Sequence, residues 1–265
     1  MKKFSILLLS FAFTGTIFAA EALKPAKVAD FKGYTANVKE IANGIRLTGN
    51  GRYFTVETVK KLPIDLNKKY NISFEYRIAA GSKADGRFFF APICYTKQGK
   101  EITAVSQNCV AGSDTVLAAA AKKGDKLIKI KNGAKWILKY GAVAFNTKAD
   151  YSDLPNFDYT EIAAIKQNGD IWEISLKKPL AKAYPAGTAV REHRYAATYR
   201  YMVSNAAAKA QWQKFSRDMM GSKRKGVRGY ASAWRPGTAF ATITIFSSGK
   251  PVDLELRNIS IAEVK

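Results

Sequence analysis

Histidine occurs once in this chain, at His193, and cysteine twice, at Cys94 and Cys109. That scarcity excludes a closed, four-ligand zinc site made of Cys and His side chains alone and argues against metal binding. No glycine-rich phosphate loop is present, and no metal-ligand spacing. Nothing marks a pair of Asp or Glu residues as the two positioned carboxylates of a glycoside hydrolase. A Ser-His-Asp triad has no local support around His193. No cofactor is expected. Long hydrophobic runs are confined to Phe4–Phe18, and acidic residues are few: 21 Asp+Glu face 43 Lys+Arg.

What is present begins with that charge. The formal net charge is +22, which removal of Lys2 and Lys3 would lower by two. Such a balance favours polyanionic partners: acidic or sulfated glycans, an anionic envelope surface, or nucleic acid. Many of the lysines alternate with apolar residues, as in Ile128-Lys129-Ile130-Lys131, where they read as the solvated face of a strand.

The N-terminus has the layout of a secretory signal: Lys2 and Lys3, the apolar run, then Ala19, Ala20 and Ala22. Cleavage is expected after Ala22, with Ala20 as the alternative. The run is short for a bilayer span, which needs roughly 20 residues. The mature chain is therefore expected to be exported to the periplasm, the cell surface or the medium, with no transmembrane segment. Export disfavours nucleic acid as the partner. Two cysteines in an exported chain predict one disulfide, Cys94–Cys109, flanking a turn at Lys97-Gln98-Gly99-Lys100. Closing such a loop would add about 3 kcal/mol. Free buried thiols are the alternative.

The remaining residues read as strands. Tyr70–Ile78 alternates without a break: Tyr70, Ile72, Phe74, Tyr76 and Ile78 on one side, Asn71, Ser73, Glu75 and Arg77 on the other. One wet and one dry face make it half of a sandwich. Strands are also expected over Ile45–Thr48, Tyr53–Thr58, Phe88–Tyr95 and Phe240–Phe246. Phe88–Tyr95 is apolar on both faces, and its Pro92 predicts a bulge or an edge. A change of phase near Arg257-Asn258 predicts a β-bulge. Between Lys122 and His193 the style changes, and Asn168-Gly169 separates two alternating segments, the strongest short hairpin signal.

Three segments carry a family resemblance. They are Leu62–Arg77, containing K-x-Y-x-I-S-F-E-Y-R; Gln211–Ser216, with Trp212 opening a strand; and Trp234–Ile261, where R-P-G-T precedes two long strands. Together they resemble the jelly-roll carbohydrate-binding modules of the family 4/9 type, within the galactose-binding-like sandwiches. The middle, G-D-x-x-I-x-[IV] through N-G-x-x-W to P-A-G-T-x-V, resembles small all-β modules of exported and phage surface proteins. The resemblance implies an all-β chain: signal 1–22, jelly-roll β-sandwich 23–121 plus 199–265, inserted β-module 122–198. Family members often carry paired aspartates in the last strand near a structural calcium. Here Leu254-Glu255-Leu256-Arg257-Asn258 stands instead, and no metal is expected.

The function implied is non-catalytic binding of glycan. A structural or assembly role on another envelope protein is the first alternative, and a polysaccharide lyase using His193 with its neighbouring Arg and Tyr residues the second. A ligand is expected either at Trp234 and Arg235, read as an exposed loop, or on the polar side of the central strand at Asn71, Glu75 and Arg77. Trp172 and Trp212 read as core. Lys223, Arg224, Lys225 and Arg228, in a glycine-containing basic run, form a candidate polyanion contact.

Overall fold

The computed structural model describes residues 22–33, 37–51, 53–84, 87–196, 199–247 and 249–264. The signal expected over 1–22 lies outside these residues but for Ala22. Among the described residues no helix is long and apolar enough to cross a membrane.

The first stretch of chain supplies β1 (Ala22–Leu23), β2 (Phe31–Gly33), β3 (Val38–Ile41), β4 (Gly44–Asn50), β5 (Thr55–Thr58), β6 (Leu62–Pro63), β7 (Lys69–Ile78) and β8 (Arg87–Tyr95). The middle supplies β9 (Thr115–Val116), β10 (Leu127–Ile130), β11 (Gly141–Phe145), β12 (Tyr159–Asn168), β13 (Ile171–Leu176) and β14 (Ala189–Arg194). The last stretch supplies β15 (Val203–Ala207), β16 (Gln213–Met220), β17 (Phe240–Ser247) and β18 (Pro251–Glu263).

The chain is all-β, with two open sheets and one nearly closed barrel. The first sheet runs β16-β7-β18-β4-β3, with β1 also on β18; the second runs β15-β8-β17-β5-β2, with β6 also on β17. Their inner faces share one core. Ile72 and Phe74 of β7, Leu254 and Leu256 of β18, Phe88 and Phe90 of β8, and Ile243 and Ile245 of β17 are all buried in it. These are the dry positions of alternating strands, and burying a large apolar side chain of this kind is worth about 1.5–3 kcal/mol. The bulge expected near Asn258 is present: the β18–β7 register shifts between Arg257 and Ser260, and Asn258 takes φ 51°. Pro92 sits where β8 is an edge on one side, because β15 pairs with it only as far as Phe90. Gly44 cannot be replaced cheaply, since a Cβ there would lie 2.0 Å from the Leu256 carbonyl oxygen.

The third sheet runs β10-β13-β12-β11-β14-β9. A bridge from Leu117 to Ile130 brings its two ends together. Its own core holds Leu117, Ile128, Val143, Phe145, Ile174 and Val190. The hairpin at Asn168-Gly169 forms as expected, with Asn168 opposite Ile171 and Gly169 at φ 61°. The stretch 115–121, expected on the sandwich side, belongs here: Leu117 and Ala121 pack in the barrel core.

The strands leading into and out of the barrel run side by side. The Arg194 amide donates to Asn108 O, the Val110 amide donates to Glu192 O, and Cys109 bridges to His193 between them. Further contacts dock the barrel loop before β12 on the sandwich. The Asn156 amide donates to Ser106 O at 2.7 Å, and the Lys100 ammonium lies 3.8 Å from the Phe157 ring centre.

The expected disulfide does not form; both cysteines are free. Cys94 points into the sandwich core from β8. The hairpin returns only far enough for Glu101 to bridge Tyr95 and for the Ile102 amide to reach Cys94 O. The chain then turns away, carrying Cys109 to the barrel junction beside His193.

Candidate functional site

The two tryptophans expected to be platform and core exchange roles. Trp234 is fully buried and meets Tyr70 edge-on, ring centres 5.8 Å apart. The Arg-Pro-Gly turn after it has loop chemistry, but backbone bonds from Trp234 N to Gly221 O and from Lys223 N to Trp234 O fold the basic segment over it. Arg235 is also buried and donates to Ile102 O. Neither can meet a glycan at this position, so the loop site is corrected. Trp212, expected in the core, is half-buried on the outer face of the first sheet, with Arg257 and Arg77 4.0 and 4.6 Å from its ring centre.

That outer face is the polar side of the central strand. Its groups are largely engaged with one another. Glu75 accepts from Arg257 Nε at 2.7 Å, and Arg77 Nε donates to Glu255 at 2.7 Å. Asn71 donates to Ser216 and Asp218. The Arg257 bond holds the Glu75 carboxyl below its ordinary range, with burial opposing. Asn71, Glu75 and Arg77 thus brace neighbouring strands, with few donors left to turn toward a sugar.

The outer face of the second sheet is different. Alternation in β8 sends Phe88, Phe90 and Cys94 inward and Phe89, Ala91, Ile93 and Tyr95 outward. The register of β17 on β8 sets Phe246 beside Phe89 and Phe240 beside Tyr95. The Phe89 and Phe246 rings stack 4.5 Å apart and 3° from parallel. Tyr201 tilts against Phe89 at 5.2 Å, and Tyr199 against Phe246 at 5.6 Å. All four rings are half-buried. Phe54 and Val56 point inward, so Tyr53, Thr55 and Glu57 face the same outer side. Tyr53 is 72% exposed, the most open of the large hydrophobic side chains described. It rests against Gly249, where a Cβ would come within 2.9 Å of the ring and φ is +80°.

Polar groups border these rings. Glu57 Oε1 accepts from the Tyr95 hydroxyl and from Thr242 Oγ1, and its Oε2 pairs with Lys32 at 3.2 Å. Glu101 lies close enough to feel the Glu57 charge. Burial first, and then that charge, raise the Glu101 pKa above the ordinary carboxylate value. Burial also raises the pKa of Tyr199, helped by Glu101 and Glu57. The site therefore offers the exposed Tyr53 ring and a half-buried cluster of four rings packed on one another, beside hydroxyls and two carboxylates. Only part of it was signalled in the sequence: an apolar outer face on β8 and the closely spaced Tyr199 and Tyr201.

His193 is fully buried in the stem of the barrel. Its Nδ1 lies 2.7 Å from Val105 O, a pure acceptor, so Nδ1 carries the proton. Its Nε2 faces the Cys109 thiol at 3.6 Å. Burial pushes the imidazole down to about 4 and the Cys109 thiol up to about 11. A side chain so enclosed is not placed to abstract a proton from a polysaccharide.

The basic run is anchored as well as charged. Arg224 stacks on Tyr151 of the barrel at 3.8 Å, and the Lys223 ammonium donates to Arg228 O. Lys225 and Arg228 stay exposed. Among the described residues, no group of three or more Cys, His, Asp or Glu side chains is arranged to hold a metal. Neither family models nor curated proteins give a match to this chain.

Proposed function

We propose that this protein recognises glycan without catalysis, after export, through the outer face of its second sheet. The reading takes the two open sheets as a jelly-roll-like carbohydrate-binding sandwich and the barrel as a module inserted in it. What carries it is the aromatic row: Tyr53, 72% exposed, with the half-buried Phe89, Tyr199, Tyr201 and Phe246 on one side of one sheet. Flat pyranose faces stack on such rings, each contact worth about 0.5–1.5 kcal/mol by analogy with aromatic pairs. The Thr55 hydroxyl and the Glu101 carboxylate supply polar partners such a ligand needs, Glu57 being already engaged by Tyr95, Thr242 and Lys32. The two carboxylates favour neutral, hydroxyl-rich sugars at this face. A few stacked rings give an affinity in the millimolar to micromolar range.

The test is affinity electrophoresis of the mature protein in gels containing neutral or acidic polysaccharides. Retention by at least one neutral polysaccharide is expected, reduced several-fold in Tyr53→Ala and Tyr201→Ala while the thermal midpoint of Tyr53→Ala holds. If no polysaccharide retards the protein, or both variants migrate as wild type, the reading is wrong.

A further inference from the structure

A second cleft opens where the barrel joins the sandwich. It holds about 530 Å³ and is lined by residues that include Asn108, Ile137, Tyr140, Arg194, Tyr195 and Lys225. These come from four separate parts of the chain: the strand entering the barrel, a barrel loop, the strand leaving it, and the basic run. None of the lining residues is acidic.

Arg194 is held in position, close enough to the buried Glu192 to oppose the rise of its pKa, and Lys225 is exposed. Arg194 ends β14 and spends Nη2 on the Lys139 carbonyl at 3.0 Å. Lys225 follows Arg224, whose stacking on Tyr151 pins the basic run to the barrel. Among the described residues neither Arg194 nor Lys225 has an ion-pair partner. The acid nearest to Arg194 along the chain, Glu192, is fully buried and accepts the Ile137 amide at 2.6 Å. Asn108 is 7% exposed, and its Oδ1 has no hydrogen-bond partner.

A second observation concerns Tyr140. Its φ is +62°, a conformation that is strained for a side chain of this size. The strain is held by a 2.8 Å bond from the Tyr195 amide to Tyr140 O and a turn from Gly141 N to Leu138 O. Its ring is left 62% exposed at the cleft. Nothing in the barrel core requires this, because Tyr140 packs in neither core.

We propose that this cleft binds a sugar residue bearing one negative group, a carboxylate or a sulfate ester. The anion lies between Arg194 and Lys225, and the ring lies against Tyr140. A charge-assisted bond from a guanidinium or ammonium is about twice as strong as a neutral one, and an aromatic ring supplies the stacking surface. The site is separate from the aromatic face of the second sheet, whose carboxylates would repel such a ligand, so either can fail alone.

The experiment is calorimetric titration of the whole mature protein at low and high salt with three short oligosaccharides: a uronate, a sulfated one and a neutral one. Binding of the uronate or the sulfated probe is expected, weakened by salt, and whichever binds identifies the anion. Arg194→Gln and Lys225→Gln should each weaken it by about tenfold, and Tyr140→Ala severalfold. Tyr53→Ala should leave it unchanged. Lys225 is exposed, so that variant tests the site even if Arg194→Gln fails to fold. The proposal is overturned if neither anionic probe binds, if the neutral probe binds equally, or if Lys225→Gln binds as wild type.

Discussion

Phe74 and Phe90 stack across the sandwich, ring centres 4.0 Å apart and planes 21° from parallel. One comes from β7 of the first sheet and one from β8 of the second, so this pair reports on whether the two sheets close on each other. Phe74→Ala should cost about 3–5 kcal/mol, the range for emptying an aromatic site in a packed core. Urea denaturation measures it. A loss under about 1 kcal/mol would mean that the sheets do not share a core.

The tryptophans make a paired test. Trp234→Ala should lower stability by about 3–5 kcal/mol, because it removes a fully buried ring from the sandwich. Trp212→Ala loses its contacts with Arg77 and Arg257 on a half-buried surface, about 1–2 kcal/mol in all. Thermal midpoints of the two variants should therefore separate clearly. Equal midpoints would contradict the placement of one ring inside and one outside.

Glu192 and His193 give a pH signature. Burial raises Glu192 to about 7, with the Ile137 amide and Arg194 opposing, while it lowers His193 to about 4. The Glu192 contribution is fully present below its unfolded value near 4.5 and is lost as pH rises through about 7. The His193 contribution is present above its unfolded value near 6.5 and is lost as pH falls through about 4. Between these limits the two slopes oppose each other. Glu192→Gln should therefore gain stability as pH rises from 4 to 6.5, and His193→Asn should lose it. Each change is at most about 3 kcal/mol over the window. Parallel profiles for the two variants would refute the buried, neutral pair.

The thiols allow a direct count. Reductant should leave the thermal midpoint unchanged, and two thiols should react with a labelling reagent in denaturant without prior reduction. In the native protein at pH 8 both should react slowly, because Cys94 is buried and burial lifts Cys109 to about 11. No reactive thiol in denaturant would restore the disulfide.

Features set by neighbours along the chain were legible in the sequence. The alternation of Tyr70–Ile78, the phase change at Asn258 and the Asn168-Gly169 turn depend on residues a few positions away, and each appears where it was read. The tryptophans and cysteines were not legible in that way. Whether Trp234 is covered depends on Gly221 and Tyr70, and where Cys109 lies depends on His193, far off in sequence. The aromatic face was half legible: alternation gave Phe89 and Tyr53 their side of the strand, but only the β17 register brings Phe246 to Phe89. The junction cleft was signalled only by Lys225 of the basic run, since Arg194 and Tyr140 come from segments that meet it only in the folded chain.

The paired stem at Asn108–Val110 and Glu192–Arg194 has a consequence for how the protein can be rebuilt. Chain enters and leaves the barrel one strand spacing apart, about 5 Å. A tight turn could span that gap, so the barrel occupies the place of a loop in the sandwich's connectivity. Its size is then free to vary without rerouting any strand of the two sheets. What such an exchange would forfeit is local and nameable: the lining of the cleft, the Arg224–Tyr151 stack and the Lys100–Phe157 contact.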